Sequence, residues 1–187
     1  MRIVLASASP RRKELLSLLG WEFEIMVSDV EEVTTSDEPG IVVEELSAQK
    51  AKDIFCKTTG DVLVIGADTV VAYQGRILGK PQDAEDAKSM LSMLSGDTHE
   101  VYTGVTLYKR VDGKETSATF HECTEVTFYE LSAEDIMWYL STGECNDKAG
   151  SYGIQGYGTR FVKSICGDYN NVVGLPVAKL YQVSRSL

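Results

Sequence analysis

The chain has 187 residues and a mass of 20.5 kDa, the size of one domain. Its 18 basic and 28 acidic residues give a net charge of −10, which sets it against the phosphate backbone of DNA or RNA as a partner. A hydrophobic content of 43% with 25% charged residues excludes a disordered chain, and no apolar run approaches the roughly 20 residues of a membrane span.

The elements follow in order. Ile3–Ala6 reads as a short buried strand, entered at once from Met1, which leaves no room for a signal-peptide core. Ser9 and Pro10 have the residue types of an N-cap and a first helical position, Leu15, Leu16, Leu18 and Leu19 supply an apolar face, and Gly20 ends the helix. Trp21–Val27 reads as a second strand, followed by an acidic, turn-rich stretch to Gly40. Ile41–Phe55 has helical spacing, with Val43, Leu46 and Ile54 on one stripe. Val62–Tyr73 is a long strand interrupted at Gly66, and Gln74-Gly75 turns it into a short arm, Arg76–Leu78. Ala84–Leu94 is an amphipathic helix. Asp112-Gly113 joins two β-rich stretches, Glu100–Val111 and Glu115–Tyr129, as an antiparallel hairpin. Ser132 and Asp135 cap another helix. A glycine-rich loop, Gly143–Gly158, leads to a strand at Phe161–Ile165, and a last helix starts near Pro176. This alternation predicts an α/β fold with a mixed, partly antiparallel sheet flanked by helices.

Cys56, Cys123, Cys145 and Cys166 are widely spaced, with no C-x-x-C pair, which fits a reduced, soluble, cytoplasmic protein. With only His99 and His121 there is no zinc constellation in the usual spacing, so a metal here is expected to be a hard cation held by carboxylates.

Several residues contradict their surroundings, and such positions concentrate at functional sites. Arg11 and Arg12 put positive charge in the first turn of a helix, the wrong sign for its dipole, unless an anion docks there with Ser7 and Ser9. Asp68 lies in the otherwise apolar run Val64–Val71; it either faces the surface at a bulge around Gly66 or serves a cation, a metal or a reaction. Lys50 falls on the apolar stripe of its helix, where a lysine ordinarily snorkels to water. Lys80 follows Gly79, but Gly75-x-x-x-Gly79-Lys80-Pro81 lacks P-loop spacing. Glu31 and Glu32 form an acidic pair in a turn, and Gln155 carries a donor and an acceptor suited to a nucleobase edge. Basic residues gathered near carboxylates in an acidic protein point to a nucleotide or phosphate-ester hydrolase.

Read together, the ordered motifs resemble the Maf nucleotide pyrophosphatases over essentially the whole chain. They are Leu5-Ala6-Ser7-Ala8-Ser9-Pro10-Arg11-Arg12, Gly66-Ala67-Asp68-Thr69-Val70-Val71, Gly79-Lys80-Pro81, Leu94-Ser95-Gly96-Asp97-Thr98-His99, Asp147-Lys148-Ala149-Gly150-Ser151-Tyr152-Gly153-Ile154-Gln155-Gly156 and Val173-Gly174-Leu175-Pro176. The resemblance implies a single elongated, two-lobed domain over residues 1–187 with a central cleft, like the inosine-triphosphate pyrophosphatases, and frequently dimeric. It implies cleavage of nucleoside triphosphates between the α and β phosphates with a divalent cation, Mg²⁺ or Mn²⁺. It makes Asp68 the proton acceptor, gives Arg12, Thr69 and Gln155 control of base choice, and assigns the phosphates to Ser7, Ser9, Arg11, Lys50 and Lys80. Glu32, or Glu31 in its place, would hold the metal with Asp68. The combination resembles the branch acting on dTTP and UTP; the 7-methyl-GTP branch and a nucleotide-sensing regulator of septum formation are the competing expectations.

Overall fold

The computed structural model describes all residues, Met1–Leu187. Seven strands form one mixed sheet: β1 (Arg2–Leu5), β2 (Glu24–Ile25), β3 (Val62–Tyr73), β4 (Arg76–Leu78), β5 (Thr98–Val111), β6 (Lys114–Phe128) and β7 (Val162–Cys166). The order across the sheet is β2-β1-β3-β5-β6-β7, with β4 paired to β3. The main helices are α1 (Pro10–Ser17), α2 (Pro39–Lys57), α3 (Ala84–Leu94), α4 (Ala133–Ser141), α5 (Tyr169–Val173) and α6 (Val177–Ser186). The α/β expectation therefore holds.

The chain divides into two compact units. One comprises Met1–Asp68, Thr103–Glu122 and Gly174–Leu187; the other comprises Thr69–Tyr102 and Cys123–Val173. In the first, β1 runs parallel to β3 in the register Arg2↔Val62 to Leu5↔Ile65. Its core contains Val4, Ala6, Ala51, Ile54, Phe55, Val62 and Val64. Helix α2 lies against two strands at backbone distance. A Cβ on Gly66 of β3 would fall 2.4 Å from the Ser47 carbonyl oxygen, and one on Gly104 of β5 would fall 2.2 Å from that of Val43. Gly66 thus does not interrupt β3, which continues through it as regular strand. The residue is small because a helix rests on it, a tertiary reason that the strand's own sequence does not display.

The second unit packs around Leu91, Leu94, Val126, Phe128, Tyr139 and Phe161. Phe128 meets the rings of His99 and Tyr152 edge-on, at centroid distances of 4.8 and 4.7 Å. Burial pushes the His99 imidazole down from its ordinary value to about 4, so it is neutral near pH 7.

Two further expectations need correction, and one short helix had no sequence signal. The strand expected over Trp21–Val27 contracts to Glu24–Ile25, because only those residues pair with β1, and Ile25 is exposed. Leu18 was expected on the apolar face of α1 but is 70% exposed: it caps the helix still in helical conformation, and that conformation turns it away from the buried stripe of Leu15 and Leu16. Helix α5 is only five residues long, too short for a periodic signal.

Candidate active site

The loop from β1 into α1 is built by its own hydroxyls. Ser9, in extended conformation, accepts a hydrogen bond from the Arg12 backbone N–H, and Pro10 occupies the first helical position. Ser7 Oγ accepts from Ser9 N at 3.2 Å and from Arg12 Nη1 at 3.3 Å. Each serine oxygen is thereby used in folding the loop, while its hydroxyl hydrogen is the donor an anion would take. Arg12 is held at its other edge by the Gly174 carbonyl, 2.9 Å from Nε and 162 positions away in sequence. Burial pushes the Arg12 guanidinium down from its ordinary value; Asp68 and Glu32 oppose that shift and the Arg11 charge adds to it. An arginine stays charged through such a shift, so Arg12 is a fixed cation facing two carboxylates.

Asp68 is the last residue of the first unit and sits in β3. Its side chain is 15% exposed, and Oδ1 accepts from Lys50 Nζ at 2.5 Å. The same ammonium lies 2.9 Å from Glu32 Oε1. Lys50 therefore does not snorkel: its side chain is 18% exposed, and the apolar stripe of α2 delivers it to the one carboxylate in the apolar run of β3. The contact between α2 and Gly66, two positions before Asp68, sets that separation. Glu31 is exposed beside it, and it is Glu32 that makes the contact with Lys50.

No cluster of three or more His, Cys, Asp or Glu side chains is placed to hold an ion. Glu32 and Asp68 nevertheless share one cationic group, and both are hard oxygen donors. That suits Mg²⁺ or Mn²⁺, ions commonly bound through one or two carboxylates and completed by substrate phosphates and water. The residues fit the metal that the resemblance implies.

Thr69, Lys80 and Gln155 belong to the second unit. Thr69 is half-buried and follows Asp68 along β3. Lys80 is exposed after Gly79, whose carbonyl accepts from Gly150 N at 3.0 Å. Gln155 is exposed, next to the buried Ile154. The loop around it is fastened by Glu144, which accepts from the backbone N–H groups of Tyr157 and Gly158 at 2.9 and 3.1 Å. Neither Glu144 nor the Gly174 carbonyl stood out from the sequence. One reads as an ordinary loop acid, and a backbone acceptor has no sequence signal.

A family model described as Maf-like protein matches residues 2–187. The chain belongs to the Maf family. Among curated relatives, a protein of Agathobacter rectalis named dTTP/UTP pyrophosphatase is 54% identical and aligns over 100% of this chain and 97% of its own length. A Bacillus cytotoxicus protein of the same name is also 54% identical, over 96% of this chain and 92% of its own. Among solved structures, a HAM1 protein from Coxiella burnetii superposes with a TM-score of 0.52 at 14% identity, covering 100% of both chains. At that identity the match shows that the Maf chain and the HAM1 protein share a fold.

Proposed function

We propose that this protein is a nucleoside triphosphate pyrophosphatase acting on dTTP and UTP, releasing the nucleoside monophosphate and pyrophosphate. The observation that carries the reading is the Asp68 carboxylate, held among apolar strand residues with Lys50 on it and Arg12 facing it at the start of α1. A protein that only senses a nucleotide has no need to keep a carboxylate beside its phosphate-binding cations, where it repels the ligand. The curated relatives named dTTP/UTP pyrophosphatase support the same reaction and substrates.

In the reaction a water oxygen bonds to the α phosphorus while the bridging oxygen leaves with the β phosphate, and the water's proton passes to Asp68. Negative charge grows on the departing pyrophosphate, so fixed cations lower the barrier. Arg11, Arg12, Lys50 and Lys80 supply them, with the hydroxyls of Ser7 and Ser9 as further donors. Lys50 must exchange its carboxylate partner for phosphate as substrate enters, which leaves Asp68 free to take the proton. Glu32 and Asp68 would hold the divalent cation, whose chemistry is to screen the triphosphate and polarise the oxygens bound to it. Arg12, Thr69 and Gln155 choose the base. The protein works on small nucleotides in the cytoplasm, with a homodimer as the assembly suggested by the family resemblance.

The test is a panel of nucleoside triphosphates with Mg²⁺ or Mn²⁺, read by product. Pyrophosphate from dTTP and UTP supports the assignment. Orthophosphate as first product would reassign the enzyme as a phosphatase, preference for 7-methyl-GTP would move it to the other branch, and binding without turnover would make it a sensor.

A further inference from the structure

The segment from Gly153 to Gly158 is a pinched loop. A Cβ on Gly158 would fall 2.3 Å from the Gly153 carbonyl oxygen, so the two ends meet backbone to backbone. One hydroxyl and one carboxylate bridge that neck. Gly153 N–H donates to Tyr139 Oη at 3.3 Å, the Tyr139 hydroxyl donates to Glu144 Oε1 at 3.1 Å, and Gly158 N–H donates to the same oxygen at 3.1 Å. The second oxygen of Glu144 accepts from Tyr157 N–H at 2.9 Å. Gly156 turns through φ +72° directly over this carboxylate, with 2.5 Å from its would-be Cβ to Glu144 Oε2, so a side chain there would be strained and would push the carboxylate aside. Lys148 Nζ donates to the Glu144 carbonyl at 2.5 Å, and its stem lies against Gly153. Gln155, at the tip, is exposed.

We propose that Tyr139 and Glu144 are positioning residues for base selectivity: by closing the neck of this loop they fix where Gln155 presents its amide. The inference rests on the proposed reading of Gln155 as the residue that reads the base. An exposed amide on a mobile loop rotates to suit any base edge, whereas a fixed one favours a single donor–acceptor pattern. The bridge is chemically durable. Burial and the Glu144 charge push the Tyr139 hydroxyl far above its ordinary range, so it stays a donor. Burial alone would push Glu144 up, but the two backbone N–H groups, the Tyr139 hydroxyl and the Lys148 charge outweigh it and hold the carboxyl below its ordinary range.

The test compares kcat/KM for dTTP and dCTP, whose bases differ in donor and acceptor at the pyrimidine 4-position, in the wild type, Tyr139→Phe and Glu144→Gln. Pyrophosphate release is the assay, and amide exchange across residues 153–158 is followed in parallel. Glu144→Gln places an amide N–H₂ or a weaker acceptor against backbone donors, and the dTTP preference should fall about tenfold. Tyr139→Phe keeps the ring and removes only the bridge, with a smaller loss of preference, and decides the matter if Glu144→Gln fails to fold. Exchange should quicken at 155–158 in both. An unchanged dTTP/dCTP ratio, or equal loss on both nucleotides, overturns the inference while leaving the pyrophosphatase assignment standing. A wild-type enzyme that releases no pyrophosphate from any nucleotide sinks both.

Discussion

The surroundings of Asp68 and of Gln155 are organised by opposite means. Around Asp68, side-chain charges face one another: one ammonium serves two carboxylates, and a guanidinium stands nearby. Around Gln155 the one carboxylate at the loop neck, Glu144, is engaged by backbone N–H groups and a tyrosine hydroxyl. Ion pairs at a partly exposed site exchange partners readily when a more highly charged ligand arrives. A carboxylate bound to the main chain holds a shape. On the proposed reading, the contrast is between a region that substrate rearranges and a region that holds its shape.

The harshest way to break the first region is Asp68→Asn, which keeps the volume and removes the proton acceptor. Turnover should drop about 10³-fold while dTTP binding, measured calorimetrically, persists; unchanged kcat would remove Asp68 from the reaction. Gly66→Ala attacks the same region through its support. The added methyl meets the backbone of α2, which cannot move aside as a side chain would. A loss of about 3 kcal/mol in unfolding free energy is expected by urea titration, with activity falling alongside it.

The second region is sharpened by pH. His99 is 1% exposed, donates to or accepts from the Tyr152 hydroxyl at 2.7 Å, and has its ordinary value of 6.5 pushed down to about 4. Between those values the unfolded chain binds a proton that the folded one refuses, so the stabilisation is complete above 6.5 and lost as the pH falls toward 4. The loss reaches about 3 kcal/mol over that window. His99→Asn should flatten this part of the curve of stability against pH. The smallest effect tests partner exchange directly: Lys50→Met frees Glu32 and Asp68, and Mn²⁺ should bind about tenfold more tightly in the absence of nucleotide. Equal or weaker Mn²⁺ binding would show that the ammonium and the metal do not compete.

Much of this was legible because the two oddest residues explain each other. Asp68 is out of place in an apolar strand and Lys50 is out of place on an apolar helical stripe; the structure joins them. The turn at Asp112-Gly113, with φ of 50° and 76°, and the Ser9-Pro10 helix start were equally plain, because local chemistry determines both. What escaped the sequence depends on distant chain. Gly66 passes for a strand break until α2 is laid across it, and one partner of Arg12 is a carbonyl contributed by the distant Gly174. The neck of the Gln155 loop is set by Tyr139, which as a residue of α4 reads as nothing more than core.

The flanks of the sheet have a further consequence. Its order ends at β2, two residues long, on one side and at β7 on the other, where the pairing with β6 shifts register between Thr127 and Phe128 and Lys163 is exposed. Brevity, irregularity and charge are the features that keep an open strand from templating another chain. Such rims give a neighbouring copy little ladder to extend at either end of that order.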